Sequence, residues 1–251
     1  MNLKVAVMSV VILSASLLKP QAPASKPPLP TKFRFLDPSD TNPGKLLPPP
    51  PKDGSAEQQR EMVEVKRLIQ TRSRERHDQA IWDARHENPT PFVEVIAPGA
   101  DLTRLPAMAK LLADVLNDQT VATSLAKEYF KRKFPITAAM PADSFQDWTC
   151  DVKARSPEAL PLRSYPSGHA TMAYTFGVVL SALVPEKSQL ILARSASYAY
   201  SREICADHYH SDVEAGHVLG TALGVLLLHN EALRPEIDAA RAELKSAGIA
   251  Q

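Results

Sequence analysis

The sequence carries almost no net charge, few strand signals, no internal repeat, only two cysteines and no apolar run long enough to cross a bilayer comfortably. Lys and Arg number 29 against 28 Asp and Glu. No bulk field therefore favours nucleic acid or an anionic membrane surface, and any anion the protein holds must be held by a local site. Two cysteines exclude a disulfide-stapled miniprotein. The apolar stretches run to 14, 15 and 16 residues (Val5–Leu18, Ala170–Val184 and Val213–Leu228), short of the roughly 18 to 20 that span a membrane. What is present in excess is proline: 22 of 251 residues, eleven of them between Pro20 and Pro51, where ordinary proteins carry about 5%. With 44% hydrophobic and 23% charged residues, the rest of the chain is a body that can bury a core.

At the front end, Lys4 precedes the apolar stretch and small residues surround Ala22-Pro23-Ala24. This is the plan of a secretory signal peptide over residues 1–24, with cleavage expected after Ala24 and a periplasmic or secreted destination. Losing Lys4 and Lys19 leaves 27 basic against 28 acidic residues, a formal charge of −1. In an oxidising compartment the pair Cys150 and Cys205 is expected to be bridged. Closing a loop of that size contributes on the order of 4 kcal/mol in the chain-entropy picture.

Residues 25–54 read as a proline-rich extended arm, ending in Leu47-Pro48-Pro49-Pro50-Pro51, which favours polyproline II. Such a segment is either a spacer or pinned across the body. From Ser55 the pattern turns helical, with Gln58 three residues on and Met62, Val65, Leu68 and Ile69 at helical spacing. A second helix is expected from Ala107 to about Lys133, and two nearly all-apolar helices over Ala170–Val184 and Val213–Leu228. The fold class is all-α, a compact helical bundle over residues 55–251 behind the arm.

Three segments suit an anion. In Ser164-Tyr165-Pro166-Ser167-Gly168-His169 a helix start would present free backbone N–H groups and a positive dipole end, with His169 able to donate a proton. An ordinary N-cap beside a surface histidine would look the same. In Ser201-Arg202 followed by His208, His210, Ser211 and Asp212, a helical register would put His208 and Asp212 on one face, with Arg202 nearly two turns back. A structural His–Asp pair is the plainer alternative. A metal site from His208, His210, Asp212 and His217 is disfavoured because His208 and His210 would point to opposed sides of a helix. The third segment, Lys127 to Pro135, holds a basic cluster of the kind that often merely ends a helix.

Taken in order, the three segments closely resemble the signature of the type 2 phosphatidic-acid-phosphatase (PAP2) superfamily: Lys, six residues, Arg-Pro; then Pro-Ser-Gly-His; then Ser-Arg, five residues, His, three residues, Asp. Within it the chain looks most like the bacterial class A non-specific acid phosphatases, sharing Leu47-Pro48-Pro49-Pro50-Pro51 with Gly54-Ser55, Ala126-Lys127-Glu128-Tyr129, Thr149-Cys150 and Ile204-Cys205. The resemblance runs from about Leu46 to Leu228 and leaves residues 25–45 uncovered as the candidate spacer. It implies a hydrolase of small-molecule phosphate monoesters. His208 would be the nucleophile, Asp212 its orienting carboxylate and His169 the general acid and base, while Lys127, Ser167, Gly168 and Arg202 would hold phosphate. No metal or other cofactor, no nucleic acid and no stable membrane insertion is implied. Pairing of two chains through exposed apolar helix faces is left open.

One position departs from the signature: Phe134 stands where the family has Arg, before the expected Pro135. On a continuing helix residues 127, 131 and 134 would share a face, so Lys131 is expected to replace the lost cation in part, with Arg132 turned away. Two other readings follow from the same residues. One is a vanadate-dependent haloperoxidase-like enzyme, since one fold hosts several chemistries. The other is a phosphate-binding protein whose catalysis is impaired by the missing Arg.

Overall fold

The computed structural model describes residues 28–99, 101, 104–136, 150 and 161–251. The expected signal peptide lies outside the described residues, as does Thr149. Among the described residues there is helix and no strand. The helices are α1 (Pro43–Leu46), α2 (Ala56–Thr71), α3 (Arg74–Arg85), α4 (Thr90–Ile96), α5 (Pro106–Phe130), α6 (Gly168–Leu183), α7 (Ser188–Ile204), α8 (His210–Leu228) and α9 (Arg234–Ser246).

The apolar content of α6 explains its place. Packed against both α7 and α8, it buries Met172, Ala173, Phe176, Val179, Leu180 and Leu183, as a helix apolar on most of its circumference must. Glycines on α8 let the two backbones approach closely: a Cβ at Gly216 would stand 2.7 Å from the Ser167 carbonyl oxygen and 2.7 Å from the Ala170 Cβ. That approach lets the Ser167 N–H donate to the Asp212 carbonyl at 2.8 Å, joining the starts of α6 and α8. Helix α5 packs on α6 and α9, and α3 packs on α7.

Several boundaries differ from the sequence-based expectation. Helix α8 begins three residues early and has 19 residues, long and apolar enough by length and composition to cross a membrane. Here it lies in the bundle, with Leu219, Leu223 and Leu227 in the core. Helix α5 stops at Phe130 rather than near Lys133, because Lys131 adopts a left-handed conformation (φ 51°, ψ 48°) that ends the helix. The segment from Ser201 to Asp212 is not one helix: α7 ends at Ile204, Ala206 has φ 56°, and His208 stands in the turn before α8.

The proline-rich stretch contains one helical turn, α1, with Asn42 capping and Pro43 at its first position. Residues 34–36, expected within a spacer, are held by a single buried carboxylate. Asp118 accepts the backbone N–H groups of Arg34 (2.7 Å), Phe35 (2.9 Å) and Leu36 (2.8 Å). Leu36 and Leu47 enter the main core, and the Tyr165 hydroxyl donates to the Pro48 carbonyl at 2.6 Å. Cys150 and Cys205 form a disulfide in a satellite cluster with Leu68, Ala80 and Ile204.

Candidate functional site

Four chain segments meet at the joined starts of α6 and α8. The last turn of α5 brings Lys127, whose Nζ donates to the Arg163 carbonyl oxygen. The start of α6 brings Ser167 as N-cap, its Oγ accepting from the Ala170 N–H at 3.4 Å, followed by Gly168 and His169. A Cβ at Gly168 would lie 3.8 Å from the Lys127 Cε, so the cation and the helix N-terminus share one recess. The end of α7 brings Arg202, and the turn before α8 brings His208.

Asp212 is the centre of the hydrogen bonding. It is fully buried (0% exposed), and its Oδ2 accepts from the Ser164 hydroxyl (2.5 Å) and the Tyr209 N–H (3.0 Å) and lies 3.4 Å from His208 Nδ1. As the third residue of α8 it closes a capping box on Tyr209. The expected His208–Asp212 pair therefore forms, although not on a shared helical face: the cap reaches back across the turn. Burial alone would raise the Asp212 pKa, but the His208 hydrogen bond and the Arg132 charge outweigh it and hold the carboxyl below its ordinary range.

His208, 6% exposed, has its pKa lowered by burial, with Lys127 and Arg202 adding to the effect and Asp212 opposing it. A neutral imidazole with Nδ1 toward a carboxylate leaves Nε2 as a lone-pair nucleophile. His169 is pushed down to about 3, first by burial and then by the Arg202 charge, against the pull of Glu87. Its Nδ1 faces Glu87 at 3.8 Å.

The recess holds buried nitrogens with nothing to bond. Arg202 gives one nitrogen to Asp207, while its Nε and Nη1, together with His169 Nε2, are buried without a hydrogen-bond partner among the described residues. Leaving the two Arg202 donors unsatisfied costs about 1 to 3 kcal/mol each, so they describe a place for an acceptor-rich anion. Ser201, the other half of the Ser-Arg pair, serves the scaffold: its hydroxyl donates to the buried Asp83 of α3 and accepts from Arg76 at 3.0 Å.

Lys131 does not take the expected place. The helical face that would carry it inward does not exist beyond Phe130, and its side chain is exposed. The left-handed turn brings Arg132 inside instead, 3% exposed. Its Nη1 donates to Asp212 Oδ1 and Ser211 Oγ, both at 2.7 Å, and its Nη2 to Glu61 at 2.7 Å. The guanidinium also lies 4.1 Å over the Tyr209 ring. Arg132 thus secures the carboxylate behind His208 through the Asp212 oxygen that His208 does not face. The family's missing guanidinium is not restored, and the Phe134 ring sits 5.4 Å from the His208 ring. Ser164, Glu61 and Glu87 also belong to the site: Ser164 opens the first anion segment but was given no role there, whereas Glu61 and Glu87 were missed because nothing in the local pattern marks them.

Lys127 makes this recess pH-sensitive. Burial pulls its ammonium down to about 7. A bound anion favours the ammonium, so affinity is full below about 7 and is lost as pH rises through it, about tenfold per unit. Competitive inhibition by orthophosphate should follow that limb, and Lys127→Arg, always charged, should flatten it. An unchanged limb in the variant would reject Lys127 as its source.

The fold and the recess together define a class: an all-helical protein with an anion cradle built over a buried His–Asp pair. The PAP2 superfamily model matches residues 107–235, and the chain belongs to that superfamily. The chain is 31% identical over 204 residues to the "Non-specific acid phosphatase" of Providencia stuartii, covering 79% of each chain. It is 33% identical over 149 residues to the "Acid phosphatase" of Zymomonas mobilis, covering 59% of this chain and 53% of that one, about half the relative's length. A Salmonella typhi "Non-specific acid phosphatase" matches at 36% identity over 102 residues, 39% of this chain and 37% of the relative.

Proposed function

We propose that the protein is an exported acid phosphatase that hydrolyses phosphate monoesters through a phosphohistidine on His208. The observation that carries this is the buried His208 backed by Asp212 beside the unpartnered nitrogens of Arg202 and His169. Membership of the PAP2 superfamily and the acid phosphatase relatives support the reaction class. Export to the periplasm or medium rests on the leader-like sequence of residues 1–24 and agrees with the disulfide.

In the first step His208 Nε2 forms a bond to phosphorus as the ester P–O bond breaks, and His169 gives its proton to the departing alcohol. In the second, neutral His169 takes a proton from water, the water oxygen bonds to phosphorus, the P–N bond breaks and orthophosphate leaves. Lys127, Arg202, the Ser167 hydroxyl and the Gly168 N–H meet the phosphate oxygens, where preorganised charge gives most of the rate enhancement. A dianionic ester beside His169 raises its pKa from the low value of the empty site, so the proton for the leaving group arrives with substrate binding. Raising the pH removes both this proton and the Lys127 charge, which gives an acidic optimum.

Rapid quench into alkali during turnover of a labelled aryl phosphate should trap phosphate on His208. Absence of label there while turnover continues would refute the covalent route. Phe134→Arg should raise kcat/KM about tenfold or more, since a charge-assisted bond to phosphate contributes about 1.5 to 3 kcal/mol. A fall in efficiency would show that the ring against His208 is needed as it stands.

A further inference from the structure

Beside the phosphate recess lies a cavity of about 690 Å³ that shares Lys127 and Gly168 with it and is lined also by Arg163, Glu87, Arg85 and Arg34. Its floor is one face of α5: Leu116, Asn117, Thr120, Thr123, Ser124 and Lys127 recur three or four residues apart and all line it, with Ala113 at the far end. From Ala113 to Lys127 is 14 residues, about 20 Å of helix at 1.5 Å per residue. The cavity is therefore a trough, far longer than a phosphate group. Pro28, Leu29 and Pro30 form a further part of its wall, and Leu29 keeps 63% of its surface exposed. This wall comes from the stretch that the family resemblance does not cover. The residues just after it are held by Asp118 on the three backbone N–H groups from Arg34 to Leu36 and by Asn117 Nδ2 donating to the Lys32 carbonyl at 3.0 Å.

We propose that this trough is the leaving-group site, and that the segment 28–36 makes the enzyme selective for long, two-faced phosphate monoesters. The alcohol part would present an apolar edge to Pro28–Pro30 and a hydrogen-bonding edge to the amides and hydroxyls of α5. A volume near 690 Å³, lined by Pro28, Leu29, Pro30, Ala113 and Leu116 together with amides, hydroxyls and charged side chains, is that of an organic ligand site. The inference rests on the phosphatase reading for its chemistry, while the trough's affinity can be measured without turnover.

The test compares phenyl phosphate with 4′-hydroxybiphenyl-4-yl phosphate, whose leaving groups are similar in acidity but differ by one ring and a distal hydroxyl. The full chain should favour the longer ester about tenfold in kcat/KM, chiefly through KM, the effect expected of burying a ring-sized apolar area. Leu29→Asp and Thr120→Trp, one on each wall, should each lower that ratio at least about fivefold. A ratio near one, or a ratio unmoved in both variants, overturns the inference. Leu29 is exposed, so its variant carries the test if Thr120→Trp does not fold. If neither ester is hydrolysed, the phosphatase reading falls by itself. Calorimetric affinities of the two esters then decide the trough, and equal affinities overturn it.

Discussion

Replacing His208 by alanine is expected to abolish turnover of an aryl phosphate, with kcat falling by about 10³-fold or more, while orthophosphate still binds. The expectation follows from the division of labour in the recess. Lys127, Arg202 and the start of α6 supply charge and N–H donors to phosphate, and none depends on His208 for its position: Lys127 bonds the Arg163 carbonyl, Arg202 bonds Asp207, and Ser167 bonds Asp212 through the backbone. In the proposed mechanism, removing His208 takes away the atom that forms the bond to phosphorus and leaves the cradle. Losing a nucleophile from a cooperating set costs orders of magnitude in kcat, whereas losing one binding contact raises KM. The measurement is kcat with an aryl phosphate alongside orthophosphate affinity by calorimetry. Residual activity within about tenfold of wild type would remove His208 as nucleophile. Full activity loss together with lost phosphate affinity would instead make it a binding residue. The same pair of numbers addresses the binder reading, because a protein that only held phosphate would gain nothing from a neutral imidazole backed by a buried carboxylate.

The two ends of the site differ in how far the sequence revealed them. Ser167 as the cap of α6, and Gly168 and His169 after it, follow from a cap residue set before an apolar run, a local rule that survives folding because the helix start itself makes the donors. The partnership of His208 with Asp212 was legible for a different reason than spacing suggested. A four-residue separation fits a helical face, but it also fits a capping carboxylate reaching back over a turn, and the protein uses the second. The stop at Lys131 was not legible. A non-glycine residue with positive φ leaves no mark in composition, and without that turn the helix wheel sends Arg132 outward and Lys131 inward, the reverse of what occurs. Glu61 and Ser164 reach the site from 71 residues before Arg132 and 48 before Asp212, separations at which no periodicity speaks. Helices α3, α4, α7 and α9 were passed over as well. In α3 and α7 charged and hydroxyl residues interrupt the apolar faces, because those faces carry buried polar contacts such as the one between Asp83 and Ser201. Residues 28–36 escaped for the converse reason: proline content speaks against regular structure, but not against being held by a single carboxylate.

Arg132→Met is expected to cost about 3 to 5 kcal/mol of stability and to lower kcat about 100-fold with KM little changed. The guanidinium lies between Glu61 and Asp212, 3% exposed, with three hydrogen bonds at 2.7 Å. Methionine fills much of the volume but leaves two carboxylates without their cation, and a buried charge that loses its partner is the expensive case. The kinetic part separates a positioning role from a merely structural one. Arg132 turns to Asp212 and not to the recess, so phosphate affinity, and with it KM, should hold. Asp212, however, loses a charge that keeps its pKa low. In wild type that depression contributes stability that is present above the ordinary carboxylate pKa and is lost as pH falls through the lower folded value. With the depression reduced, Asp212 takes up its proton at higher pH, so the acid limbs of both stability and kcat should move upward. Arg132→Lys restores the charge but not the fork that spans Asp212, Ser211 and Glu61, and should recover the acid limb of kcat more fully than it recovers stability. A variant that melts earlier yet keeps the wild-type pH profile in its folded range would confine Arg132 to holding α2 against α8. A shifted limb repaired by lysine would establish that the charge behind Asp212 sets the pH range over which His208 stays correctly held.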